Sequence, residues 1–284
     1  MQYTINVRGQ LVSLSQPIVM GILNATPDSF YSGSRKQTEA EIAERADQII
    51  AEGGRIIDVG AFSTRPGADE VSPEEETRRL RRALQIVRRQ QPDAIVSVDT
   101  YRPLVARQCV EEFGADIIND VSEGGLTGIV GTPIHEEGDM FRTVAALKVP
   151  YILMSVQPTI EKMMLNFAAE TQRLYDLGAK DIILDPGYGF GKTLEQNYAV
   201  MAHAERLLEF GLPVLTGLSR KSMIYRLVGG TPATALNGTT ALNTVALMKG
   251  SSILRVHDVR EAVETIKINE ALRDGGPILP PHNT

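Results

Sequence analysis

Along this chain, short runs of apolar residues alternate with longer stretches in which apolar positions recur at helical spacing. The pattern is plainest at Ile182-Ile183-Leu184. That run ends in Asp185, and Pro186-Gly187-Tyr188-Gly189-Phe190-Gly191-Lys192 follows before helix-like sequence resumes at Thr193. So short an apolar run reads as a buried parallel strand, and the glycines after it let a ligand approach the backbone at the strand tip. Other runs share the form: residues 17–23 end in Asn24, 55–57 in Asp58, 94–98 in Asp99, and 116–118 in Asn119-Asp120. Residues 151–154 end in Ser155, 213–218 in Ser219-Arg220-Lys221, and 252–254 in Arg255-Val256-His257. Eight such runs separated by helical stretches predict an α/β fold, a (β/α)8 TIM barrel, whose chemistry gathers at the C-terminal strand tips.

Before the first barrel strand, Tyr3 to Val7 and Leu11 to Leu14 alternate about Gly9 and predict a β-hairpin that closes the bottom of the barrel. Helices are expected over about 38–52, 103–113, 160–177, 193–210 and 259–273. Ser72-Pro73-Glu74-Glu75 predicts a capping box at the start of another helix. That helix carries Arg78, Arg79, Arg81, Arg82, Arg88 and Arg89, expected to form a solvated face, with a partner-binding patch as the alternative. The stretches 24–35, 60–68 and 121–138 lack periodicity. The first two read as loops over the catalytic face, the third as a loop over the site or an insertion for oligomerisation. The whole of 1–284 is expected to form a single barrel domain, with the barrel proper at about 17–273 and a disordered tail at about 275–284.

Composition narrows the function. With 43% hydrophobic residues there is material for a sizeable core. A net charge of −6 and 5% aromatics give no basic, stacking surface for a nucleic acid. No run approaches the length of a membrane span, so a soluble cytoplasmic protein without membrane or nucleic-acid partners is expected. The one cysteine, Cys109, sits in an apolar helical pattern and reads as a buried structural thiol.

The strand tips carry the candidate chemistry. Asp99, Asn119 and Asp185 offer acceptors and one amide, while Lys221 and Arg255 offer donors, a lining suited to a flat heterocycle such as a guanine-like or pterin-like ring. Arg65, Lys221, Arg255 and His257, read as a cationic cluster with the neutral oxygen of Asn24 opposite, suit a diphosphate bound with Mg2+. Loss of a diphosphate needs stabilisation of developing negative charge more than a protein nucleophile. Plainer readings stand beside these. Asp58 and Asp185 could cap the following helices, Ser219-Arg220-Lys221-Ser222 could be an N-terminal cap alone, and His257 could be a satisfied core histidine. His135, His203 and His282 read as surface residues.

Taken together, Met20 to Phe30, Ser63-Thr64-Arg65-Pro66-Gly67, Ser97-Val98-Asp99-Thr100, Ile117-Ile118-Asn119-Asp120, Ile183 to Lys192, Ser219-Arg220-Lys221-Ser222 and Leu254-Arg255-Val256-His257 resemble the dihydropteroate synthase family. The resemblance runs in order from about Pro17 to Lys267. It implies condensation of dihydropterin pyrophosphate with p-aminobenzoate by ionisation at the pterin methylene carbon, on a homodimeric barrel inhibited by sulfonamides. By the same resemblance Asp99, Asn119, Asp185 and Lys221 hold the pterin, Arg255 stacks on or near it and Met154 packs under it. Asn24 faces the diphosphate through Mg2+, beside Arg65, Arg255 and His257. Thr64, Pro66, Phe190, Lys221 and Ser222 form the p-aminobenzoate pocket, where the N-terminus of a helix can receive the carboxylate. Two departures stand out. Ser32 lies near where the family usually has an acidic residue, and Met154-Ser155-Val156 replaces a usual Met-His-Met before a shortened loop. The second departure leaves a catalytically impaired pterin-binding paralogue as an alternative. A pterin-dependent methyltransferase domain is a further one, opposed by the diphosphate cluster and the arylamine pocket.

Overall fold

A computed structural model describes residues 3–25, 35–61, 71–124 and 139–273. The chain opens with β1 (Thr4–Val7) and β2 (Gln10–Ser13), then runs β3 (Ile18–Asn24), α1 (Arg35–Ala51), β4 (Ile56–Gly60), α2 (Pro73–Gln90), β5 (Ile95–Asp99) and α3 (Pro103–Glu111). It continues with β6 (Ile117–Asp120), α4 (Asp139–Leu147), β7 (Tyr151–Met154), α5 (Ile160–Asp176), β8 (Ile182–Asp185) and α6 (Leu194–Ala202). The last elements are β9 (Leu215–Thr216), α7 (Ser222–Val228), α8 (Leu236–Met248), β10 (Ile253–Val256) and α9 (Val259–Arg273). Beyond α6 the expected single helix breaks, and Ala204–Phe210 form 3-10 turns ending at Gly211 with φ 65°.

β3 to β10 pair in parallel in the order β8-β7-β6-β5-β4-β3-β10-β9. Leu184 donates its N–H to the Pro213 carbonyl at 2.9 Å and bridges Val214, which brings β9 back to β8 and all but closes the ring. This is the expected (β/α)8 barrel. Residues on alternate positions share a face. Val19, Ile57, Val59, Val96, Val98, Ile118, Leu153, Leu184 and Leu254 face the helices. Met20, Ile56, Ile117, Ile152, Ile183, Leu215 and Ile253 form a separate apolar layer with Ile5, Val7 and Leu14 from the hairpin.

That second layer is the barrel floor, and the hairpin seals it as expected. β1 and β2 pair antiparallel with Val7 opposite Gln10, across a turn in which Arg8 and Gly9 take φ values of 52° and 81°. Burying Ile5 or Val7 contributes about 1.5–3 kcal/mol each. The hydrogen bond from Asn6 N–H to Asp181 Oδ1, at 3.0 Å and exposed, contributes about 1 kcal/mol at most, so apolar packing holds the plug.

Local chemistry departs from expectation at α2. Ser72 caps the helix by accepting from Glu75 N–H, but the Glu75 carboxylate does not return the bond; it receives Arg78 and Arg79 instead, so the capping box is one-sided. The arginine face is also less solvated than expected: Arg79 is buried and donates to the Ala61 carbonyl at 3.0 Å, and Arg88 pairs with Asp116 at 2.6 Å. Cys109 is buried, and burial raises its thiol far above its ordinary value, which makes it inert as expected. His203 is exposed as expected, whereas His135, His282 and the tail lie outside the described residues. Among the described residues no helix is long and apolar enough to cross a membrane.

Candidate active site

The strand tips become a site because most floor residues have an inward neighbour two positions later that belongs to the cup. Ile56 leads to Asp58, Ile117 to Asn119, Ile152 to Met154, Ile183 to Asp185, Leu215 to Gly217 and Ile253 to Arg255, whereas Met20 leads to Ile22 and β5 reaches Asp99 four positions after Ile95, through Ser97. One layer up from an apolar floor, the barrel therefore presents a polar one. Arg255 organises it: Nε donates to Asp58 Oδ2 at 2.7 Å and Nη2 to Asp99 Oδ2 at 2.8 Å. Asn119 Nδ2 donates to the same Asp58 oxygen at 3.2 Å. Burial opposes the charge on Arg255, yet Asp58 and Asp99 hold its proton more tightly than usual. Burial drives the Asp99 carboxyl up to about 7, against the pull of Arg255.

Three acceptors in this layer have no partner among the described residues: Asp58 Oδ1, Asp99 Oδ1 and Asn119 Oδ1 are all buried and unbonded. Each unmet buried acceptor costs about 1–3 kcal/mol. Three together, lying beside a pinned guanidinium, are complementary to a planar ligand rich in N–H donors.

The other half of the cup is built on the glycine turn after β8. Asp185 is buried and accepts Gly187 N–H at 2.7 Å; burial raises its carboxyl, while Lys221 opposes the rise. Gly187 has φ 62°, and a Cβ there would stand 2.2 Å from the Ser155 carbonyl oxygen, so the close turn requires glycine. Lys221 donates from Nζ to the Tyr188 carbonyl and lies 4.6 Å from the centre of the Phe190 ring. Met154 is fully buried beneath Gly187, where a Cβ would lie 2.9 Å from its Cγ. Gly217 keeps the space between Lys221 and Arg255 open, a Cβ there standing 3.9 Å from both side chains.

Lys221 and Ser222 are held at the mouth by Arg220. Its backbone takes φ 56°, its guanidinium grips Asp258 at 2.7 and 2.8 Å, and it donates to the Pro232 and Ala233 carbonyls. Ser222 is half-buried as the first residue of α7, whose seven residues make about two turns, so Lys221 is the dominant positive group there. Ser219 Oγ receives His257 N–H at 3.1 Å and lies 2.9 Å from Nδ1, so the serine holds the histidine by both its backbone and its ring. His257 does not join the cationic cluster as expected: burial, then Arg255, lower its imidazole to about 4, so it stands neutral at physiological pH. Asn24 is exposed at the tip of β3. Its Oδ1 would lie 3.8 Å from a Cβ on Gly60, where Asp99 Oδ2 converges at 3.9 Å. Thr64, Arg65, Pro66 and Ser32 lie outside the described residues. Among those described, no cluster of three His, Cys, Asp or Glu could hold a metal alone.

The family profile described as "Pterin binding enzyme" matches residues 20–257. The dihydropteroate synthase of Escherichia coli (strain K12) is 39% identical over 275 residues, 93% of this chain and 94% of its own. This chain belongs to the dihydropteroate synthase family. A Xanthomonas albilineans dihydropteroate synthase with 4-aminobenzoic acid superposes with a TM-score of 0.85 at 32% identity, covering 99% of this chain and 100% of its own. The same enzyme in complex with 7,8-dihydropteroate gives 0.82 at 31% identity, over 98% and 100%.

Within that family frame, the departure at Ser155 gains a physical account. Ser155 is buried, its Oγ donates to Glu123 Oε1 at 2.7 Å, and the same carboxylate oxygen receives Val156 N–H at 2.8 Å. The serine is tied into a network with Glu123, and α5 begins at Ile160 directly after its Thr159 cap. Sequence reasoning did not select Asp58, although it takes the same two-residue inward step as Asn119 and Asp185, and that step was the available signal. It gave Lys192 no role and had no means of finding Glu123, which sits in a stretch without periodicity.

Proposed function

We propose that this chain condenses 6-hydroxymethyl-7,8-dihydropterin pyrophosphate with p-aminobenzoate to give 7,8-dihydropteroate and pyrophosphate. The observation that carries the reading is the triple of acceptors without a partner among the described residues, Asp58 Oδ1, Asp99 Oδ1 and Asn119 Oδ1, in the inward layer of a barrel of this family. They receive ring and amino N–H groups of the pterin, with Asp185 and Lys221 meeting its other edge and Met154 lying below. Arg255, fixed at Nε and Nη2 by two carboxylates, keeps Nη1 for the diphosphate. Neutral His257 lies beside it, and Arg65 belongs to the same group. Asn24 is suited to Mg2+, since a neutral oxygen beside diphosphate oxygens and water matches what that ion accepts; when bound it offsets diphosphate charge. Phe190, Lys221 and Ser222, with Thr64 and Pro66, receive p-aminobenzoate, the Lys221 ammonium facing its carboxylate.

In the reaction the bond from the pterin methylene carbon to the diphosphate oxygen breaks, the electron pair leaves with pyrophosphate, and the arylamine nitrogen bonds to that carbon and loses a proton. The chain's part is to orient both partners and to meet the leaving charge with fixed donors. Two copies of the chain form the working unit in this proposal, in keeping with the exposed Met248 on α8 and the exposed Ile268 and Leu272 on α9. The reaction is placed in the cytoplasm, in keeping with the single buried thiol of Cys109.

A pyrophosphate-release assay with Mg2+ tests the function. Release that requires p-aminobenzoate, with an equal amount of dihydropteroate, is expected; folded protein that releases none would overturn the proposal. Asp185→Asn is expected to weaken pterin binding by about 1.5 kcal/mol or more, since it removes a charged acceptor from a buried position. Calorimetric titration showing unchanged affinity would remove Asp185 from the pocket.

A further inference from the structure

The buried groups that this mechanism does not use cluster where β6 and β7 end. Glu123 is 1% exposed and takes φ 53°, a left-handed conformation that glutamate adopts only where its surroundings hold it. Its carboxylate receives Ser155 Oγ at 2.7 Å, Val156 N–H at 2.8 Å and Gln157 Nε2 at 3.4 Å. The turn that presents it is itself fixed: Asp120 Oδ2 accepts Gly124 N–H at 2.9 Å and Tyr151 Oη at 2.6 Å. On the opposite side of Ser155 lies Lys192, whose Nζ donates to the carbonyls of Ser155 at 2.9 Å, Gly187 at 3.0 Å and Phe190 at 3.2 Å. An ammonium has three donors, and all three are spent on backbone oxygens. One serine is therefore gripped twice, by its hydroxyl from Glu123 and by its carbonyl from Lys192.

The electrostatics run the same way. Burial lowers the Lys192 ammonium to about 8, and Asp185 and Glu123 are the two carboxylates that resist the fall. Asp185 faces the cup, so Glu123 is the countercharge that no ligand competes for.

We infer that Glu123 is a positioning residue for the p-aminobenzoate side of the site, acting through Ser155 and Lys192 to set the glycine turn that carries Phe190. The route is short: Glu123 fixes Ser155, Ser155 anchors Lys192, and Lys192 ties the Gly187 and Phe190 carbonyls into the turn. Lys221 leans on that turn at the Tyr188 carbonyl and the Phe190 ring, so a loosened turn also frees the ammonium that faces the arylamine carboxylate. Asp185 is less exposed to this effect, because it belongs to β8 itself, in register with Met154 of β7. The consequence is selective. Loss of Glu123 should act on the arylamine and largely spare the pterin.

The inference rests on the proposed synthase reaction, and the test separates the two. Initial rates are measured on the full chain, with each substrate varied in turn, for the wild type, Glu123→Ala, Glu123→Gln, Lys192→Met and the Glu123→Ala/Lys192→Met pair. Glu123→Ala should raise the KM for p-aminobenzoate about tenfold, as loosened positioning does, and leave the KM for the pterin substrate within about twofold. Glu123→Gln keeps an amide oxygen for Ser155 and Val156 and should lose less, which guards against a variant that merely fails to fold. Lys192→Met should show the same split, and the pair should be no worse than the poorer single variant, because both act along one route. A wild type that forms no dihydropteroate would sink the reaction itself. An active wild type with an unmoved p-aminobenzoate KM in folded Glu123→Ala would overturn the inference, and so would equal rises in both KM values.

Discussion

Arg255→Met is expected to abolish turnover and to lower the free energy of unfolding by about 3–5 kcal/mol, the usual cost of breaking a buried ion pair from one side. The reason lies in what the variant leaves behind. Asp58 is fully buried, with a side-chain exposure of 0%, and among the described residues its Oδ2 would keep only the Asn119 amide at 3.2 Å. Its Oδ1 is already unbonded, and Asp99 would lose its guanidinium partner as well. Two carboxylates a short way apart in a dry cup repel, and one of them must take up a proton. The stability of Arg255→Met should therefore recover as the pH is lowered. Chemical denaturation at neutral pH and at pH 5 checks both parts, and a neutral-pH loss below about 1 kcal/mol would show that Arg255 does not organise the polar layer. Adding Asp58→Asn to Arg255→Met should restore much of the stability and none of the activity.

Lys221→Met should have nearly the opposite profile: turnover down by about a hundredfold, the loss expected for a charge that positions and neutralises a substrate, with the fold unharmed. Burial lowers the Lys221 ammonium to about 8 from 10.5, Asp185 holding it up while Arg255 and Lys192 push it further down. Below pH 8 the lysine is protonated in both folded and unfolded chains, and the folded state bears the full cost of the buried charge. Between about 8 and 10.5 the folded form releases its proton first, so the Lys221 contribution to stability improves as pH rises. Activity follows the other sign. The wild-type kcat/KM for p-aminobenzoate should fall above pH about 8, without a matching fall in melting temperature. A flat profile to pH 10, or a Lys221→Met variant that melts far below the wild type, would mark the lysine as structural.

These two residues show what the sequence can carry. The strands were legible because a buried parallel strand is an unbroken apolar run, and the run ends where the barrel interior turns polar. Arg255, Asp99 and Asn119 could be placed at one mouth on topology alone. What could not be read was which charges neutralise one another. Asp58 and Asp99 are both acids at strand tips, yet only the fold shows them sharing one arginine. His257 looked like a member of a cationic set until its burial, with Arg255 adding to the effect, made it neutral. The acid at Glu123 lay in a stretch with no period, and its bond to Ser155 joins residues 32 positions apart. Local patterns carry no trace of such a pairing. The one-sided cap at Ser72 teaches the same lesson at shorter range, because Arg78 and Arg79 outbid the Ncap N–H for the Glu75 carboxylate.

The two-residue step from floor to polar layer also bears on how such a chain can diverge. On most strands the lower inward side chain is apolar and serves packing, while the next belongs to the cup and carries chemistry. Changes at the mouth, including those that exclude an inhibitor, can therefore accumulate in lineages without eroding the hairpin-sealed floor. Drift in the floor can be absorbed by exchanging one aliphatic residue for another of similar volume. The lower layer then supplies the reserve of stability from which costly changes in the upper one are drawn.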